Sequence, residues 1–414
     1  MPPKKPQEPA TPADPAALDA EAEAKYAPAA PKEKKGKYVA PVEPAGGVVE
    51  TPQERLARFL KSPQNKGFER DHPAAAITPA GNMVSVYPRI VTGLITFDLM
   101  FGGGLPTGVQ HHWFGDKASG KTTLALHTLA CAQRLCSVCY RALATPGGCC
   151  DKPRALIAGY IDVEGSIDWT WAEQLGVVKA DLLYTRPWTS EMTADAYEAQ
   201  LSSGEVDILV VDSLAAMVPQ GELDKSAAEF EVGTHARHVH RMVRKTYSLL
   251  NQSAMKTGRR PTPIFLNQNR MKVGVMFGNP ETQSGGSGPG YGAGVEIRFS
   301  PAKHQKDSAD PSGRPLYVTI NPKIVKSKVS PSKGAEAEFS FMQKDTPNAK
   351  VGAVFDAPQL IDLGAKAGLV EGNAPAVSAL GRTFRGKSVM ELELVKDPAF
   401  AAELRAAILK VMAA

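Results

Sequence analysis

Residues 115–123 read Gly-Asp-Lys-Ala-Ser-Gly-Lys-Thr-Thr, which matches the pattern G-x-x-x-x-G-K-[ST]. That pattern constrains the fold more than any other stretch, because it works only between a strand and a helix. Glycine lets successive backbone N–H groups turn inward around phosphate oxygens, and the helix N-terminus adds its partial positive charge. The flanks agree: Val109–Phe114 is β-like, and Leu124–Arg134 carries a helical pattern. Gly115, Asp116, Lys117, Ala118, Ser119, Gly120, Lys121, Thr122 and Thr123 are therefore expected to bind a nucleotide. Lys121 would reach the β/γ oxygens, and Thr122 would ligate Mg²⁺.

A Mg²⁺-bound nucleotide needs an acid beside the loop. Val206–Asp212 reads as a buried strand ending in a carboxylate, and only Asp212 would emerge at the carboxyl edge of a parallel sheet, where ligands bind. A second acid, Glu164, follows another apolar run, Leu156–Ile161, and is placed to orient or deprotonate an attacking water. With Ile264–Leu266, these runs alternate with helical patterns, as expected of an α/β fold with a mainly parallel central sheet flanked by helices.

The first fifty residues are different. They hold 10 Pro and 12 Ala with almost no large apolar side chains, too little to offset the entropy of ordering. A disordered tail is expected, whose lysines (Lys4, Lys5, Lys32, Lys34, Lys35 and Lys37) either solvate it or touch a polyanion. Thr51-Pro-Gln-Glu54 then opens a short helix to Lys61, with Leu56, Phe59 and Leu60 on one face in need of a partner. Helix-like stretches at Ser388–Leu394 and Pro398–Val411 close the chain. The expected organisation is a tail over 1–50, a helix and linker over 51–90, an ATPase core over 91–344 and a small domain over 345–414.

Four of five cysteines, Cys136, Cys139, Cys149 and Cys150, crowd into residues 136–150, while Cys131 sits on the preceding helix and is expected in the core. A Cys-x-x-Cys turn followed by a Cys-Cys pair can wrap one tetrahedral Zn²⁺; reduced unliganded thiols and a redox pair are the other readings. No spread disulfide framework, no apolar centre of a secretory signal and no run of about 18 apolar residues appear, so a cytoplasmic chain without a membrane span is expected. A net charge of +5 permits nucleic-acid binding without requiring it.

Pro263–Thr282, with its block Met-Lys-Val-Gly-Val-Met-Phe-Gly-Asn-Pro-Glu-Thr, resembles the strand and DNA loop of bacterial RecA recombinases. Leu94–Leu99, Ile161–Glu164, Val211–Pro219, Val325–Lys328 and Leu360–Gly364 follow in the order of that family, and the likeness spans roughly residues 51–410. The resemblance implies a RecA-type ATPase core with an N-terminal polymerisation helix and a small C-terminal domain. It also implies that Gln268 senses the γ-phosphate, that Lys326 and Lys328 reach a neighbour's γ-phosphate, and that Asp168 and Trp171 contact adenine. For DNA it points to Arg270, Lys272 and Phe277 in one loop, and to Arg237 and Arg244 on a helix that also carries His240, Arg241 and Lys245. The preceding segment, Gln220–Gly233, corresponds to the family's other DNA loop but is acidic.

In this resemblance Lys326 and Lys328 alternate on a strand and so point the same way. The family's Lys-aromatic pair after the second loop is represented only by Tyr291, within Gly288-Pro-Gly-Tyr291-Gly. The tail and the insertion at 135–153 lie outside the family pattern, as expected of a divergent bacterial or phage member. The insertion is expected outside the core chemistry, though emerging near it. The implied function is an ATP-dependent DNA recombinase. It would polymerise with ATP·Mg²⁺ on single-stranded DNA as a helical homo-filament, then pair it with double-stranded DNA. A ring-shaped helicase or branch-migration ATPase is the alternative; a strand-binding protein with ATP as a clamp is disfavoured by Glu164.

Overall fold

The structure is a computed structural model that describes residues 51–71, 87–144, 148–224, 233–271, 281–286, 288–307, 310, 312–372 and 375–413. The expected tail over 1–50 lies outside the described residues, as do Lys272 and Phe277. The chain divides into two compact units, Met1–Asn82 and Met83–Ala414.

In the first unit, helix α1 (Pro52–Leu60) begins as the sequence suggests. Thr51 Oγ1 accepts from the Glu54 amide at 3.2 Å, and Glu54 Oε2 accepts from the Thr51 amide at 2.7 Å. A second helix, α2 (Pro63–Asp71), follows directly. It was not legible in the sequence, because Pro-Gln-Asn-Lys-Gly-Phe carries no apolar periodicity. Leu56 is 50 % and Phe59 45 % exposed.

The second unit is built on one sheet. Its strands are β1 (His111–Gly115), β2 (Ala158–Asp162), β3 (Leu182–Thr185), β4 (Ile208–Asp212), β5 (Thr262–Met271), β6 (Val295–Phe299) and β7 (Pro322–Ser327). They lie in the order β7-β6-β1-β5-β4-β2-β3, parallel throughout except β7, and Glu281–Gln283 pairs antiparallel with the end of β5.

Both faces are covered, which is why these strands read as unbroken apolar runs. Alternate residues of β4 separate cleanly. Ile208 and Val210 pack with Trp113, Tyr160 and Leu124 and Leu129 of helix α3 (Lys121–Ala132). Leu209 and Val211 pack with Tyr197 and Leu201 of α4 (Ser190–Ser203) and with Val239, Met242 and Leu250 of α5 (Thr234–Thr257). Each such fully buried side chain contributes about 1.5–3 kcal/mol from desolvation. A four-stranded antiparallel sheet over residues 303–355 adds Phe339 and Phe341 to the first core, with Phe97 edge-on to Phe339 at 5.9 Å.

The C-terminal part has its own core of Leu360, Ile361, Met390, Phe400, Leu404 and Ile408, joined by Ile95. Its last helices span Lys387–Lys396 and Pro398–Met412, the second capped by Asp397, which accepts from the Ala399 and Phe400 amides. Arg405 forks onto Asp356 at 2.9 and 3.0 Å, and both side chains are largely buried. Among the described residues no helix is long and apolar enough to cross a membrane.

Candidate nucleotide and nucleic-acid sites

β1 delivers the glycine-rich loop and α3 receives it. Gly120 adopts φ 87°, and a Cβ there would fall 2.4 Å from Ile320 Cδ1, so both the backbone and the packing require glycine. Lys121 lies over the loop, donating to the carbonyls of Gly115 (3.0 Å) and Asp116 (2.6 Å) and to the Ser119 hydroxyl (3.1 Å). Burial lowers its pKa, against the charges of Asp212, Glu164 and Asp116.

Two parallel strands, β2 and β4, bring the acids to the same edge. Asp212, at the end of β4, accepts on Oδ2 from Thr122 Oγ1 at 2.8 Å and from the Tyr160 hydroxyl at 2.6 Å. Burial raises its carboxyl to about 6, while those two hydrogen bonds oppose the rise. A hydroxyl and a carboxylate in contact at the helix start are the oxygen donors that Mg²⁺ takes beside nucleotide phosphates, so the residues fit that ion.

Glu164 lies two residues beyond β2, in a bend braced by buried Asp162. That carboxylate accepts from the amides of Gly165 (2.7 Å), Ser166 (3.3 Å) and Ile167 (3.3 Å) and from the Tyr184 hydroxyl (3.1 Å). Glu164 Oε1 in turn accepts from Ser213 Oγ at 2.5 Å and from Gln268 Nε2 at 3.0 Å. Lys117, Ala118, Lys121, Thr122, Glu164, Asp212, Ser213 and Gln268 line one open cleft.

A second cleft on the other side of the loop is lined by Ala118, Gly120, Thr123, Asp168, Trp171 and His304, among others. Asp168 caps the helix Trp169–Gln174, accepting from the Trp171 amide at 3.1 Å, and Trp171 Nε1 donates to Thr123 Oγ1 at 3.3 Å. The structure thus brings together all the residues proposed for the nucleotide except Lys326 and Lys328.

Those two lysines lie on the far edge of the sheet. Lys326, on edge strand β7, donates to the carbonyls of Gly290 (2.5 Å) and Tyr291 (3.2 Å), so it contacts the glycine-rich segment directly. Lys328 falls just past the strand, its amide bonded to Gly294 O at 2.8 Å. The register shift between Ile324 and Lys326 lies before both lysines, and the Lys328 bond to Gly294 carries the pairing with β6 one residue past the strand's end. Burial and the neighbouring charge of Lys328 lower the pKa of Lys326.

On α5, Arg237, His240, Arg241 and Arg244 are exposed and line an open depression with Gly285 and Gly288. Lys245 points elsewhere, paired with Glu198 at 2.6 Å. Arg270 lies on β5 beside the edge where Glu281–Gln283 pairs, and only its backbone is described.

The cysteines form a compact cluster: the sulfurs of Cys136, Cys139, Cys149 and Cys150 all lie within 4.8 Å of one another. Cys136 Sγ is 3.7 Å and Cys149 Sγ 3.9 Å from Cys150 Sγ. A tetrahedron with Zn–S bonds of about 2.3 Å requires sulfurs about 3.8 Å apart, close to both of these separations. Amides of Val138 and Arg154 donate to Cys136 Sγ at 3.4 Å each, a contact that favours thiolate. Cys131 lies apart from the cluster, its Sγ 3.2 Å from Thr92 O, and burial raises its thiol to about 12.

The insertion does not emerge near the nucleotide, contrary to expectation. It joins the C-terminal end of α3 to the start of β2, and the 12-residue helix sets it about 18 Å from the phosphate loop. Missed by sequence reasoning were Tyr160, Asp162 and Ser213. Ser213 and Asp162 each neighbour a predicted acid, but Tyr160 looked like one more apolar strand residue.

The model of the RecA N-terminal domain matches residues 149–345. "Protein RecA" of Methylobacterium sp. (strain 4-46) is 36% identical over 292 residues, 70% of each chain. "Protein RecA" of Chelativorans sp. (strain BNC1) is 34% identical over 331 residues, covering 80% of this chain and 82% of the relative. "Protein RecA" of Citrifermentans bemidjiense is 32% identical over 342 residues, covering 82% and 90%.

Proposed function

The chain belongs to the RecA family and is an ATP-dependent recombinase of DNA recombination and repair and a DNA-dependent ATPase; we propose how its residues divide that work. The loop 115–123 binds the phosphates of ATP, Thr122 and Asp212 hold Mg²⁺ (Asp212 through water), and Asp168 and Trp171 flank the adenine. Glu164 positions the attacking water as general base. Gln268 reads the γ-phosphate, and its state passes along β5 through Arg270 toward Lys272 and Phe277. The observation that carries this reading is the single Glu164 oxygen shared by Gln268 and Ser213, at the cleft that Thr122, Lys121 and Asp212 also line.

Arg237 and Arg244, exposed beside the end of β5, grip the backbone of single-stranded DNA, and the same filament then engages a duplex. Lys326 and Lys328 serve the nucleotide of a neighbouring copy. Support comes from their place on the sheet's edge, two strands from the phosphate loop, where they cannot serve their own. The exposed Leu56 and Phe59 of α1 dock on a neighbouring copy, an open heterologous contact that builds a helical filament. Beside ATP and Mg²⁺ we place a Zn²⁺ ion held by Cys136, Cys139, Cys149 and Cys150. A cytoplasmic setting suits these reduced thiols.

DNA-stimulated ATPase and strand-exchange assays on one preparation, with electron microscopy in a non-hydrolysable ATP analogue, test the reading. Filaments on single-stranded DNA and strand exchange are expected. Closed hexameric rings without exchange would overturn it.

A further inference from the structure

The insertion at 135–153 has almost nothing of its own to fold around. Among its described residues only Leu135, Cys136, Ser137 and Cys149 are buried. So small an apolar core offsets little of the segment's ordering entropy, a deficit that a metal staple would make up. Yet its root is closely fastened. The Leu156 amide donates to Leu135 O at 3.0 Å and the Ser137 amide to Arg154 O at 2.7 Å, and Cys136 forms a bridge with Ala155.

That root is continuous with two elements of the ATPase. On one side the Leu135 amide closes on Ala132 O at 2.9 Å, the last residue of α3. On the other, Leu156 leads into β2, and both leucines belong to the main core. α3 opens with Lys121 and Thr122, and β2 leads to Asp162 and Glu164. The four sulfurs therefore cluster in the connection between the distal ends of the two elements whose proximal ends form the nucleotide cleft.

We propose that the four thiolates hold a structural Zn²⁺ that fastens the end of the phosphate-loop helix to the start of the Glu164 strand, so that zinc occupancy and nucleotide affinity are linked. The inference rests on the zinc reading above. Zinc binding there orders the root ladder, and the root ladder holds α3 and β2 in register. Without the ion the segment reverts to a loose loop, and the last turn of α3 loses its anchor. Coupling between two sites is reciprocal, so ATP·Mg²⁺ must tighten zinc by the same factor that zinc tightens the nucleotide.

The test uses the full chain, purified without chelators and kept under a phosphine reductant. Elemental analysis should find about one zinc per chain. Free zinc is then set with a chelator buffer, and affinity for a fluorescent ATP analogue is measured with and without the metal. Amide exchange is followed in parallel. Stripping zinc should weaken the nucleotide about five-fold or more, the lower bound of ordinary allosteric coupling. Adding nucleotide should lower the free zinc at half-occupancy by the same factor. Exchange should rise at residues 133–143 and 154–158 and stay slow in α5.

Cys139→Ser should lose zinc and behave like the stripped protein, while Cys139→His, which keeps a ligand, should restore both readouts. Less than about 0.2 zinc per chain overturns the zinc reading and this inference with it. One zinc per chain with nucleotide affinity unchanged on stripping overturns only the linkage. Exchange that rises throughout the sheet and α5 also overturns it, because the ion would then support the whole fold rather than one connection.

Discussion

The Gln268 side-chain amide donates to Glu164 Oε1 at 3.0 Å, and the same oxygen accepts from Ser213 Oγ at 2.5 Å. One carboxylate oxygen thus joins the end of β5 to the end of β4. A group so held is aimed by its neighbours, and a change in what Gln268 contacts changes where Glu164 points. Glu164→Gln keeps the shape and removes the base. DNA-stimulated kcat should fall by about 10²–10⁴-fold, the usual contribution of a general base, with nucleotide affinity changed far less. Gln268→Ala should reduce the stimulation by DNA more than the basal rate. Steady-state ATPase with and without single-stranded DNA reads both, and a Glu164→Gln rate within three-fold of the parent would sink the assignment.

Asp212 Oδ2 accepts from Tyr160 at 2.6 Å and from Thr122 at 2.8 Å. The tyrosine is buried in β2 and has no other evident use for its hydroxyl, so it fixes the carboxylate that supports Mg²⁺. Tyr160→Phe deletes one oxygen without opening a cavity. Losing a hydrogen bond of about 1 kcal/mol should raise the Mg²⁺ needed for half-maximal nucleotide binding about five-fold. Binding measured with EDTA present should not move. Equal Mg²⁺ titrations in the two proteins would show that the hydroxyl serves packing alone.

Much of this arrangement was legible in the residues, for a physical reason. Parallel strands covered on both faces must be apolar throughout, so Ile208–Val211 announced itself, and the acid that ends such a run has only one edge to emerge from. Tyr160 was hidden by the same rule, since a buried tyrosine in an apolar run looks like core until its partner is known. The cysteine cluster posed the opposite difficulty. Zinc, free thiols and a redox pair stayed open there, because sequence spacing says nothing of the backbone turn that brings the sulfurs of Cys149 and Cys150 near Cys136. The strand that carries Lys326 ends at Ser327, one residue short of Lys328, and alternation alone cannot fix where a strand ends. The position of the insertion followed from topology: a segment joining a helix end to the next strand start must lie at the sheet's amino edge.

Arg237 and Arg244 are exposed on one face of α5 beside Gly285 and Gly288. If each neutralises a phosphate, replacing both with alanine should weaken binding to all single-stranded sequences alike. The slope of log affinity against log salt should fall in magnitude by about 1.4, at about 0.7 per phosphate contact on single strands. Fluorescence anisotropy with labelled oligonucleotides over a salt series provides the measurement. An unchanged slope would place the DNA backbone on another surface.

His127 gives a stability test with a defined sign. It lies buried on α3, its Nε2 2.9 Å from Thr92 O and its ring 5.0 Å from that of Phe341. Burial pushes its pKa down to about 4, the charges of Arg134 and Arg405 act the same way, and the Thr92 carbonyl opposes them. The folded chain therefore keeps this ring neutral at pH values where the unfolded chain has charged it. Protons favour the unfolded state, and the stabilisation present above pH 6.5 is lost as pH falls toward 4. Two buried acids, Asp98 and Asp212, each raised to about 6, act in the opposite direction below that pH and mask the effect in the parent protein. The difference between parent and His127→Gln removes them, because both proteins share those acids. Relative to the parent, the variant should gain about 3 kcal/mol between pH 6.5 and 4, at about 1.4 kcal/mol per pKa unit. Urea unfolding at a series of pH values measures that difference, and a difference that stays flat with pH would mean that His127 is charged in the fold.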